Sequence, residues 1–138
     1  MTPERKFYNY LKESLPKDWF LQRIETTTAV GVPDLNILVP DYGEMWLEIK
    51  ACKTKVKLRK EQFAWITKRW LFGGKVAVIN RNNKDQIQIW FKPFLVSPSG
   101  NKYLSINSKP DVTLGKAEWK KIGILFTLYL TEPKNNEK

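Results

Sequence analysis

Histidine is absent from this 138-residue sequence, and cysteine occurs once, at Cys52. The first absence excludes imidazole-based acid–base catalysis and histidine-ligated metals. The second excludes a disulfide framework or a thiolate zinc site within one chain. It points to a reducing compartment and so to a cytoplasmic location. Without a histidine partner, Cys52 is also a poor nucleophile. Long apolar runs are missing as well. No N-terminal stretch of signal length and no apolar span of about 18 residues occurs, which disfavours export and membrane crossing.

Negative charge is scarce: 14 Asp and Glu stand against 24 Lys and Arg, for a formal charge of +10. Such an excess calls for a polyanionic partner, nucleic acid first and an acidic membrane surface second. What remains is ample apolar material. With 42% of residues hydrophobic, the chain has enough for one compact domain, expected over residues 1–130, with a polar tail at 131–138.

Local signals order the elements. Thr2 reads as an N-cap with Pro3 and Glu4 in the first turn, and Phe7, Tyr8 or Tyr10, Leu11 and Leu15 recur at helical spacing before Pro16. Trp19–Thr28 reads as a first strand. Leu35–Val39, a turn over Pro40–Gly43, and Met45–Ala51 read as a hairpin. After a densely basic stretch, Phe63, Ile66 and Trp70 mark a second helix ending at Gly73–Gly74. Val76–Asn80 suits a buried strand, and the alternating Asp85–Phe91 suits its outer neighbour. Residues 93–110 read as loop with room for one small hairpin. Trp119, Ile122, Leu125, Phe126 and Tyr129 form the face of a closing helix. The expected class is α/β, a mixed central sheet flanked by helices.

The hairpin carries the chemistry. Strand alternation puts Met45, Leu47, Ile49 and Ala51 on one face, and Glu44, Trp46, Glu48 and Lys50 on the other. With the turn centred near Asp41, Asp34 lies across the ladder from Glu48; a small slip moves it beside Lys50. Two facing carboxylates repel unless something offsets them. Lys50 offsets part, and a hard divalent cation with oxygen ligands would offset the rest. A nearby lysine can then steady charge developing on a phosphate attacked by a metal-activated water. The plain alternative is a cross-face ion pair on a surface strand.

At these residues the sequence resembles the PD-(D/E)XK nuclease superfamily, and within it the small, often virus-encoded VRR-NUC type. The motif is GVPD (Gly31–Asp34), 13 residues, EIK (Glu48–Lys50), then RKEQ (Arg59–Gln62) opening a helix and GGKVAVI (Gly73–Ile79) entering a strand. The resemblance implies a restriction-endonuclease-like core. Asp34, Glu48 and the Ile49 carbonyl would hold Mg²⁺ or Mn²⁺, Lys50 would position the attacking water, and Gln62 would orient groups at the site. A first-helix carboxylate completes such sites; Glu4 is the first candidate, with Glu13 and Glu25 as rivals. The implied activity is DNA endonuclease, structure-specific on branched or four-way-junction DNA. Nicking or exonuclease action on duplex DNA and a non-catalytic nucleic-acid-binding module are the alternatives. A viral source would place it in the host cytoplasm.

Beyond the motif, Lys53, Lys55, Lys57 and Arg59 form a period-2 basic run suited to phosphate contacts if extended. Trp46 and Trp65 either stack on bases or pack at the rim. The apolar stretch Ile124–Leu130, with Trp119 and Ile122, serves either as the contact of a two-fold dimer or as packing on the chain's own core.

Overall fold

The computed structural model describes residues 1–25 and 30–133. Helix α1 spans Pro3–Ser14. It starts where expected because the Thr2 hydroxyl accepts the Arg5 N–H (3.1 Å), which relieves one of the unpaired donors of the first turn. It stops at Leu15, whose N–H reaches the Leu11 carbonyl (3.0 Å), ahead of Pro16. Its buried face is Phe7, Tyr8 and Leu11.

Strands β1 (Phe20–Arg23), β2 (Leu35–Val39) and β3 (Gly43–Lys50) follow, antiparallel in sequence. The first strand is shorter than the Trp19–Thr28 expected, and Thr26–Thr28 lie outside the described residues. Left-handed backbone at Asp41 (φ 68°) and Gly43 (φ 104°) closes the β2–β3 turn. A short β4 (Lys57–Arg59) and helix α2 (Lys60–Leu71) then cross over to β5 (Val76–Arg81), which lies parallel to β3. A parallel neighbour cannot be reached by a tight turn, so an intervening helix is needed. Strand β6 (Ile87–Trp90) pairs antiparallel with β5.

Residues 93–110 contain the small hairpin for which the sequence left room. Strands β7 (Val96–Pro98) and β8 (Tyr103–Ile106) form a hairpin, and β8 also pairs with β4 to make a second, three-stranded sheet. Strand β9 (Val112–Leu114) adds a sixth strand outside β6, so the main sheet runs β1-β2-β3-β5-β6-β9. A 3-10 turn at Lys116–Lys121 leads into α3 (Ile122–Thr131).

Two cores flank the sheet. One joins Phe7 and Leu11 of α1 with Met45, Leu47, Ile49, Ala77, Ile79, Ile122 and Phe126. The other joins Ile66 and Trp70 of α2 with Val76, Val78, Leu58 of β4 and Ile106 of β8. The apolar run Val76–Ile79 is explained by this, because β5 is covered on both faces. Trp119 and Ile122 are buried in the first core, so neither provides the dimer surface considered for them. Apolar burial on their own sheet claims them, and the exposed apolar side chains of α3 are Ile124 and Leu128. No helix among the described residues is long and apolar enough to cross a membrane.

Candidate active site

Asp34 sits one residue before β2. Leu35 faces Leu47 and Val39 faces Gly43, so one further step of the same register sets Asp34 opposite Glu48. Its carboxylate continues the ladder: Oδ2 accepts the Ile49 N–H (2.9 Å), while its own carbonyl accepts the Ile24 N–H (2.8 Å). The approach to Asp34 depends on Gly31. Its φ is +84°, and a Cβ there would run into the Glu61 carbonyl in the first turn of α2. Only glycine combines that backbone with that close approach, and the contact presses the GVPD segment onto the helix end that carries Gln62.

Glu48 points to the α2 side of the sheet and is only 2% exposed. Its Oε2 accepts a hydrogen bond from Gln62 Nε2 (2.9 Å) and lies 3.5 Å from Lys50 Nζ. Its Oε1 is buried with no partner. Lys50 Nζ in turn donates to Gln62 Oε1 (3.2 Å), which also accepts the Arg59 N–H (2.8 Å) at the start of α2. One amide therefore orients the carboxylate and the ammonium together, and is itself fixed by the helix N-terminus. Burial pushes the Glu48 carboxyl up to about 8; Asp34 and Glu4 add to the rise, and Lys50 opposes it.

These features fit a divalent cation. A buried carboxylate oxygen without a donor, beside a second carboxylate, is an oxygen-rich, electron-rich corner that a hard cation would satisfy. The candidate ligands are Asp34, Glu48 and the carbonyl of Ile49, whose N–H is already used by Asp34. Among the described residues, no three acidic, Cys or His side chains close into a ready cluster, so solvent and substrate oxygens would have to complete the shell.

Glu4 lies at the mouth. Partial burial, then Asp34, raises its carboxyl, and Lys50 and Arg23 lower it. Its rivals are elsewhere: Glu25 is held by Arg23 (3.0 Å) and Arg5 (3.6 Å), and Glu13 is not among the charges acting on Glu48. Lys53 and Lys55 lie in a bend, and only Lys57 and Arg59 are extended, exposed on either side of buried Leu58. The period-2 geometry expected over the whole basic run therefore holds for its second half. Trp46 and Trp65 pack edge to face (5.3 Å), with the Arg69 guanidinium over both rings; they line the rim.

Sequence reasoning passed over Asn80. It is fully buried and stands beside Lys50 in the β3–β5 register. Its side chain accepts the Cys52 N–H (2.7 Å) and donates to the Cys52 carbonyl (3.0 Å) and to Gln88 Oε1 (3.1 Å). It thus holds the chain where β3 leaves the sheet, two residues after Lys50. A polar residue closing an otherwise apolar buried run was the available signal.

No protein-family model and no curated protein matches the sequence. Among solved structures, the fold is similar to that of Hjc, a Holliday junction resolvase from the archaeal hyperthermophile Archaeoglobus fulgidus. The two share 15% identity with a TM-score of 0.55, over 86% of this chain and 96% of that one. At this identity the likeness is one of fold. The chain has the α/β, restriction-endonuclease-like core that its motif implies, a mixed central sheet flanked by helices.

Proposed function

We propose that this chain is a divalent-metal-dependent nuclease that hydrolyses phosphodiester bonds in DNA, acting on branched or four-way-junction substrates. The observation that carries the reading is Glu48, buried with one oxygen gathered by Gln62 and Lys50 and the other left without a donor next to Asp34. Asp34, Glu48 and the Ile49 carbonyl would hold the cation, with Glu4 at the mouth, and when bound it would supply positive charge at the scissile phosphate and lower the pKa of a water there. The side chains do the rest. Two of the three ammonium protons of Lys50 face Gln62 Oε1 and Glu48 Oε2, leaving the third for an attacking water or for charge developing on the phosphate. Gln62 sets that direction. Lys53, Lys55, Lys57 and Arg59 attract the phosphodiester backbone without reading sequence.

The narrowing to junctions is supported by the fold likeness to the archaeal resolvase; the VRR-NUC-like type and a viral source rest only on the family resemblance of the motif. Cutting two strands of a junction in concert calls for two sites, which a two-fold dimer would supply. The surface left for it on α3 is Ile124 and Leu128.

Labelled linear, flapped and four-way-junction DNA, incubated with Mg²⁺, Mn²⁺ or EDTA, tests the proposal. Cleavage should require the metal and favour the branched substrates. Undiminished cleavage in excess EDTA would remove the metal mechanism, and equal cutting of plain duplex would leave a nickase or exonuclease. Tight DNA binding with no cleavage under any condition would leave a non-catalytic binding module.

A further inference from the structure

The hairpin β7–β8 takes no part in the site above, yet it is joined to it by backbone. Arg59 of β4 stands directly opposite Tyr103 of β8, and the Lys60 N–H donates to the Lys102 carbonyl (3.1 Å). From Tyr103 the path to the site is short: its partner Arg59 donates its N–H to the Gln62 oxygen (2.8 Å) that also receives Lys50 (3.2 Å).

The small sheet has two unlike faces. Val56, Leu58 and Ile106 point into the second core. The other face presents Lys57 and Arg59 from β4 and Tyr103, the cross-strand partner of Arg59; Ser105, opposite Lys57, is buried beneath them. Both contributing segments are free of acidic residues: residues 51–60 carry five cations and residues 92–110 carry three, with no Asp or Glu in either. Among the described residues, Lys57, Arg59, Lys60 and Lys102 form no ion pair. Tyr103 is 44% exposed, and its ring and hydroxyl have no partner among the described residues. The tip, Gly100–Lys102, is exposed, and a Cβ built on Gly100 (φ +90°) meets nothing within 4 Å.

A basic run alone is most often a solvated face. Here the basic run of residues 53–60 is zipped to a distant, acid-free hairpin carrying Lys102, in one surface that begins at the proposed catalytic amide and includes an unpartnered aromatic. We infer that the outer face of the β4–β8–β7 sheet is a nucleic-acid docking ledge. On it Lys57, Arg59 and Lys102 take phosphates of the strand leaving the site, and the Tyr103 ring lies against a sugar or base. The inference rests on the nuclease reading for its orientation, but the ledge binds whether or not the site cuts. Contacts of this kind hold the backbone and carry no sequence preference.

Fluorescence anisotropy with a labelled four-way junction and a labelled duplex, in EDTA across a salt series, tests it. Lys102→Ala should lower the slope of log affinity against log salt by about one. Tyr103→Ala should weaken binding about fivefold or more. Lys120→Ala, on the opposite side of the sheet, should do neither. Circular dichroism and melting show whether each variant is folded, and Tyr103→Phe, which keeps the ring, should bind like the parent. Affinities and salt slopes of Lys102→Ala and Tyr103→Ala equal to the parent would overturn the ledge. Because no metal is present, a protein that binds through the hairpin but never cleaves would sink the nuclease reading and leave this one standing. A metal-dependent nuclease whose binding ignores the hairpin would do the reverse.

Discussion

Glu48 is a carboxylate kept from water with a half-share of one ammonium for compensation. Its raised affinity for a proton has a sign that can be worked through. The native state holds the proton up to about pH 8, whereas an unfolded glutamate releases it near its ordinary value of 4.5. Stability is therefore fully present below about 4.5 and is lost as pH rises through about 8, a loss on the order of a few kcal/mol. In metal-free buffer the melting temperature should fall between pH 5 and 8, and Glu48→Gln should flatten that fall. Magnesium should restore the parent at pH 8 but leave the variant unmoved; a parent and variant with parallel pH profiles would place the strain elsewhere. Glu48→Gln and Lys50→Ala should each slow cleavage by roughly a hundredfold or more at saturating DNA. At Gly31 the expected effect is purely steric: Gly31→Ala should cost about 2 kcal/mol or more, read as a melting shift of several degrees. That Asp34, Glu48 and Lys50 come together was legible from strand alternation and the turn near Asp41; their roles came only from the family resemblance. The reason for Gly31 was not legible, because the atom it avoids, the Glu61 carbonyl, belongs to a helix thirty positions further on.

Elements with their own punctuation were readable in advance. Helices α1 and α2 follow their caps and apolar spacing, and the β2–β3 register follows its turn. Strands β4, β7, β8 and β9, of three or four residues each, have no such signature. Strands β4 and β9 exist because each pairs with a strand distant in the chain, β8 and β6, and pairing of that kind leaves no local period to detect; β7 and β8 pair with each other across a short turn, as the small hairpin for which residues 93–110 left room. The loop after β3 is held by Asn80, and its removal has a measurable consequence. Asn80→Leu keeps the branched shape but is bulkier and leaves the Cys52 N–H and carbonyl unpaired, which should cost roughly 2–4 kcal/mol. It should also slow cleavage at saturating DNA while changing metal-free DNA affinity little. A variant that melts and cuts like the parent would show that the clasp contributes nothing. Neutralising Lys53, Lys55 and Lys57 together should do the opposite, weakening binding on every sequence and flattening its salt dependence. Unchanged salt dependence would show that these lysines face bulk solvent.

For the whole molecule, the charge of +10 and the mixed sheet between two cores set what assembly has to achieve. Sedimentation at micromolar concentration, with and without junction DNA, should show two chains on a junction, with Leu128→Lys reducing that species. A clean monomer in both states would favour single-strand nicking. Fold class and the order of the larger elements were legible because a continuous apolar run beside alternating ones implies a central strand. Which helix residues stay exposed was not, since Trp119 and Ile122 look as available in sequence as Ile124 and Leu128.

The parallel pairing of β3 with β5 also bears on how the protein reaches its native state. These two strands form the middle of the sheet, and the chain between them must loop out through β4 and α2 before they can meet. Closing a long loop costs entropy ahead of any reward, so this step should come late and limit the folding rate. Gln62 rides on that loop, while Asp34 and Glu48 face each other across a hairpin whose contacts are local in sequence and so cost little loop closure. The acidic pair is thus assembled early and stays open to water until α2 docks. A refolding chain should consequently gain hairpin signal before it gains any capacity to cleave, and the lag between them should shorten with substitutions that stabilise α2.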